Sequence, residues 1–178
     1  MKRFLLLLLV LGFAGAARAE VKAVMDQLLQ QVFILKPFIA SETSFSDPVN
    51  SAQIADTLKK MVALSKEVNH EERINKTGFQ VSAIVLTQQL EHVESVFSTG
   101  NKDYALGTLR STLGVCMSCH TQLPAVSTRF TTLNDTQTLS NQFQEAEFLF
   151  LIRSFDDAMN LYGELLLGYP HNKAEIGD

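Results

Sequence analysis

Residues 104–120 read YALGTLRSTLGVCMSCH, and the fold turns on how this stretch is read. Leu106, Leu109, Leu113, Cys116 and His120 step by 3, 4, 3 and 4 residues, so they line one side of a helix. The stripe runs into both cysteines of the chain, Cys116 and Cys119, and into the histidine after them, His120. An apolar stripe needs a partner surface. Whatever the thiols and the imidazole hold is therefore expected to enter a core rather than hang outside it.

Three earlier segments offer that surface. Met25, Leu28, Val32, Leu35 and Ile39 form one stripe; Ile54, Leu58, Met61 and Val68, with Ser65 as the polar member, form a second. Phe79, Ala83, Leu86, Leu90, Val93 and Phe97 form the third. Pro37 marks the end of the first helix or a kink near it. The stretch SETSFSDPVNS reads as a turn-rich connection, with Asn50 or Ser51 capping the next helix. Gly100, in STGNKD, reads as a helix stop. Short links between helices of similar length predict an all-α, antiparallel up-down-up-down bundle over residues 20–121. A Thr/Ser-rich linker is expected at 122–137, and a helical hairpin at 138–178.

The chain opens MKRFLLLLLVLGFAGAARAE. A basic start, a short apolar run and Ala17-Arg18-Ala19 read as a secretory signal peptide over residues 1–19. The run is short for a membrane span; the rival reading is an uncleaved anchor. Cleavage removes Lys2, Arg3 and Arg18 and no acid. That leaves 12 basic against 19 acidic side chains and moves the net charge from −4 to −7. Nucleic acid is a poor partner for such a surface. The expected location is the periplasm, with no membrane span after cleavage.

C-x-x-C-H is the attachment signature of c-type haem. The two thiols add across the two vinyl groups on one porphyrin edge, which leaves the next imidazole placed to bind the iron. Cys116 and Cys119 are thus the expected thioether anchors of one haem c per chain, and His120 the axial ligand. Other readings compete. A disulfide between cysteines one helical turn apart closes a tiny loop and constrains little. A thioredoxin-like pair belongs at a helix N-terminus after a strand, whereas this pair ends a long helix. A zinc site wants four ligands, which would draw on His70, His92, His171 or the acids.

In an up-down-up-down bundle, the start of the first helix and the end of the fourth share one end. Met25 lies roughly 6 Å into its helix at 1.5 Å per residue, near the depth expected of His120. Its thioether is the candidate second axial ligand, giving His/Met iron of raised potential. The competing reading is a flexible methionine filling the core beside the haem. His70 falls in a charged loop, Met61 lies deeper, His92 sits off its stripe near the opposite end, His171 is in the tail, and Met117 points away.

With these residues in hand, residues 21–121 resemble the cytochrome c-prime family: four helices, an STG turn, and a last helix closed by C-x-x-C-H. The resemblance implies that His120 is the fifth iron ligand and that Met25, or a neighbour, faces the sixth position. It also implies either a five-coordinate protein binding nitric oxide or carbon monoxide, or a six-coordinate electron carrier; the methionine favours the carrier. The family commonly has a basic residue shortly after the histidine. This chain has HTQLP instead, a departure that weighs against gas-binding chemistry.

In the tail, Ala146, Ala158, Tyr162 and Pro170 fall at the spacing of a single tetratricopeptide-like helix pair. A lone repeat cannot bury its faces, so it packs on the bundle, packs on a second copy, or docks a partner. Three functions follow: an electron-transfer cytochrome serving a redox partner protein, a gas-binding haem protein, or an interaction module working through the hairpin. An enzyme such as a peroxidase would need acid/base groups over the haem, and no His/Arg pair is placed there, so a carrier is expected rather than a catalyst. Bundles with an exposed haem edge often dimerise, so a homodimer is one expected assembly.

Overall fold

The computed structural model describes residues 22–70, 79–120, 139, 141–152 and 154–169, with backbone alone for residues 70 and 117–120. The leader, the 71–78 connection, the 122–137 linker, Pro170 and His171 lie outside the described residues. All regular structure among the described residues is helical. Helix α1 spans 22–39. It is followed by α2 (Glu42–Ser46), a 3-10 turn (Pro48–Asn50), α3 (Ser51–His70), α4 (Gln80–Ser98) and α5 (Lys102–His120). Helices α6 (Gln142–Leu151) and α7 (Phe155–Gly168) complete the chain.

The stripes read from the sequence are the faces that become buried. Leu35, Ile54, Leu58, Leu90, Val93 and Leu109 are wholly inaccessible to solvent, and every apolar stripe residue from Leu28 to Leu113 is buried. The four long helices α1, α3, α4 and α5 contribute to one continuous core. Ser65, the polar member of its stripe, is buried and satisfies its hydroxyl by donating to the Val62 carbonyl at 2.8 Å.

Neighbouring helices run antiparallel. Between α3 and α4, Lys66 pairs with Glu91 at 2.8 Å, while Asn69 Nδ2 donates to Thr87 Oγ1 at 2.7 Å. Residue numbers rise along one helix as they fall along the other. The same holds between α4 and α5. His92 and Tyr104 meet edge-on with ring centroids 5.8 Å apart, and Lys102 Nζ lies 3.0 Å from the centre of the Phe97 ring. The reversal is made at Gly100, whose φ of +91° is a left-handed conformation suited to glycine. Its N–H donates to the Phe97 carbonyl at 3.1 Å.

The connection after α1 holds more structure than its turn-rich composition suggests. Ser41 Oγ accepts from the Ser44 N–H at 3.2 Å and starts α2, which ends at Asp47, the residue before Pro48. Asp47 caps the 3-10 turn, its carboxylate accepting from the Val49 N–H at 2.9 Å. Asn50 and Ser51 instead donate to the Ser44 and Asp47 carbonyls. Phe45 is driven fully into the core, where it meets the edge of Phe97 at 5.3 Å.

Helices α6 and α7 fold into a hairpin. Ala146 and Ala158 are buried, Phe143 meets Tyr162, and Phe150 meets Phe155. The Tyr162 hydroxyl bonds Glu147. Burial first, and the neighbouring carboxylate second, push the phenol above its ordinary range. On α7, Ala158 and Leu165 are buried and Tyr162 is half-buried, whereas Phe155 and Tyr169 are exposed. The hairpin reaches the main core through α6, where Phe148 is buried and stacks obliquely on Phe33 of α1 at 5.6 Å.

Leu90 sits at the centre of this core and has no solvent exposure. Leu90→Ala is expected to cost about 2–5 kcal/mol of stability. Val81 on the same helix is 71% exposed, and Val81→Ala is expected to stay within about 0.5 kcal/mol. Chemical denaturation of the two variants checks the difference.

Candidate functional site

The antiparallel arrangement brings the first turns of α1 against the last turns of α5, and an apolar cleft opens between them. Its walls are Met25, Leu28, Leu29 and Val32 from α1, Leu113 and Cys116 from α5, and Leu151 and Ile152 from the corner between α6 and α7. The cleft encloses about 50 Å³ and opens broadly to solvent. Among the described residues, each lining side chain is apolar or sulfur-bearing.

Two of the residues singled out in the sequence meet here. Met25 and Cys116 are both half-buried, pack against the main core and line the same cleft. The backbone of α5 remains helical through His120. Positions 116, 119 and 120 therefore share one helical face, three and four residues apart. The side chains of Cys119 and His120 lie outside the described residues.

Met61 and His92 fall elsewhere. Met61 is 2% exposed and belongs to the main core. His92 is exposed and lies beside Tyr104, near the far end of α5. The side chains of His70, Met117 and His171 lie outside the described residues. Among the described residues, no group of three or more His, Cys, Asp or Glu side chains converges as a metal site would require.

Arg110 fixes α1 against α5 from the other end. Its Nε and Nη2 both donate to the Ile39 carbonyl, at 3.0 and 2.8 Å, in the last turn of α1. Its Nη1 lies 3.6 Å from the Glu42 carboxylate. A forked guanidinium holding one carbonyl through two donors restricts sliding more than a single bond does. The clamp and the cleft thus set the register of the two helices that carry Met25 and Cys116.

Several of these residues were not apparent from periodicity. Leu29 lies beside its stripe rather than on it. Leu151 and Ile152 come from a hairpin that the sequence sets apart by a long linker. Arg110 looks like an ordinary exposed residue in a helix. The one visible cue was Lys36, a lone charge among Val32, Phe33, Ile34, Leu35, Pro37, Phe38 and Ile39; it is 1% exposed.

No protein-family model, no curated protein and no solved structure matches this chain.

Arg110→Met removes both donors from the Ile39 carbonyl. The side chain is 41% exposed, so the expected loss is about 1 kcal/mol, at the low end for bonds to a charged donor. A fall in the denaturation midpoint at unchanged slope is the sign of this loss. Arg110→Lys should recover only part of it.

Proposed function

We propose that this chain is an exported monohaem c-type cytochrome, resembling the cytochrome c-prime family, that passes electrons to a redox partner protein. In this reading the four long helices are an antiparallel bundle and α5 carries the haem at its end. The observation that carries the reading is the cleft itself, which has Cys116 of the C-x-x-C-H motif in one wall and Met25 in another.

The residues present fit the group. A half-open slot walled by leucines, a valine and an isoleucine, with a cysteine at its side, suits a flat apolar macrocycle tethered along one edge. Cys116 and Cys119 would hold it. Each would do so as a thioether, its S–H adding across a vinyl group with nothing leaving and no external oxidant needed. His120 would supply the imidazole from the next position on the same helical face. When bound, haem supplies one-electron redox chemistry at its iron.

The chain's own residues then have distinct tasks. Leu28, Leu29, Val32 and Leu113 exclude water from the slot. This disfavours the more highly charged oxidation state there and tunes the potential. Met25 presents a thioether, a soft neutral donor, on the wall opposite α5. The Arg110 clamp at the other end of α1 keeps that thioether level with the last turns of α5.

The optical spectrum of the exported protein, recorded with and without carbon monoxide, tests this reading. The expected result is a low-spin spectrum with a sulfur-to-iron charge-transfer band, unresponsive to brief carbon monoxide exposure. In Met25→Ala the band should vanish and carbon monoxide should bind. A wild-type protein that is high-spin and takes up carbon monoxide at once would rule out the His/Met carrier and favour the gas-binding form.

A further inference from the structure

The cleft has a wall that neither long helix supplies. Leu151 is the last residue of α6, and Ile152 is its C-cap. The corner they form is tight: the Ile152 N–H donates to the Phe148 carbonyl at 3.0 Å, and the Ser154 N–H to the Leu149 carbonyl at 2.8 Å. The corner is thus expected to move with α6 as one piece.

Near its start, helix α6 is tied to α1 by an ion pair. Lys36 of α1 and Glu145 in the first turn of α6 form an ion pair at 2.9 Å, with side-chain exposures of 0% and 9%. The second carboxylate oxygen of Glu145 accepts from the Leu139 N–H at 2.8 Å. Lys36 Nζ also lies 4.6 Å from the centre of the Phe148 ring. Around this point, among the described residues, Phe148 is the hairpin's one buried member of the main core, with Leu139, Leu151 and Ile152 partly buried against it. The buried residues of α7, Ala158 and Leu165, do not belong to that core.

A buried ion pair adds little when intact but is strongly destabilising when one partner is removed, because the other charge is stranded. A small helical unit docked through one helix is also the kind of element that opens without global unfolding. We propose that the α6–α7 hairpin is a latched wall of the Met25–Cys116 cleft: Lys36 and Glu145 hold it closed, and its release opens the cleft to solvent. Anything in the cleft that touches Leu151 or Ile152 binds the closed form better and so tightens the latch in turn. The wall stands on these contacts alone; only the identity of the cleft's occupant rests on the haem reading.

The chain contains no tryptophan, so Ile152→Trp places a single reporter in the wall. The full mature chain is prepared with Ile152→Trp alone, with Glu145→Ala added, and with Lys36→Met and Glu145→Leu added together. Acrylamide quenching of the indole reads access to the cleft, circular dichroism reads the helices, and intact mass reads covalent haem on the same samples. Quenching should be weak in the first protein and at least about threefold stronger with Glu145→Ala, which removes the carboxylate that ties Lys36 to α6. It should return close to the first value in the third, where an apolar pair replaces the ions. Equal quenching in all three overturns the latch. If Glu145→Ala loses its helical signal, Glu145→Gln takes its place, with an intermediate increase expected and an unchanged value again overturning the proposal. A mass without haem overturns the functional reading alone, since the three proteins are compared at equal haem content and the difference in acrylamide quenching among them then reports the wall.

Discussion

The register between α1 and α5 is the constraint from which the site follows. The two helices are far apart in sequence, joined through α2, α3 and α4, and nothing local aligns them. Two contacts do so. At one end the Arg110 guanidinium takes the Ile39 carbonyl through two donors; at the other, Met25, Leu28 and Leu29 face Leu113 and Cys116 across the cleft. A slip of one residue turns a helix by about 100°, which would carry Met25 off the cleft and the apolar stripes off the core. Packing density in the interior makes such a slip costly at every layer at once.

The hairpin adds a constraint of another kind. Most of the molecule is held by apolar burial, which is strong but tolerant in direction. The Lys36–Glu145 pair is directional and desolvated. It adds little net stability compared with an apolar pair of the same size. What it supplies is a defined position for α6, and with it the position of Leu151 and Ile152 over the cleft. Such contacts suit an element that must sit in one place and still be releasable. The cleft is therefore assembled from three distant parts of the chain: the first turns of α1, the last turns of α5 and the corner of the hairpin.

The parts legible in the sequence were those with a period. Alternating steps of three and four marked the buried faces of α1, α3, α4 and α5, and the apolar residues from Leu28 to Leu113 on those stripes are all buried. Gly100 was legible because one reversal needs a left-handed residue. Counting turns set Met25 at the depth of His120, at the end of α5; the structure has Met25 and Cys116 lining one cleft. Contacts between parts far apart in sequence were not legible. Composition shows neither that Lys36 would be buried against Glu145, 109 residues away, nor that Ile152 would close the cleft. Helix α2 was hidden because five residues are too few to show a period, and its Ser and Pro neighbours read as turn formers.

The most direct test of the account is the mass of the mature exported chain, read intact and then by peptide. The account predicts a polypeptide beginning near Glu20 that carries one covalently added haem, located on the peptide containing Cys116 and Cys119. A mature chain at the mass of the polypeptide alone, with those cysteines as thiols or a disulfide, would contradict it.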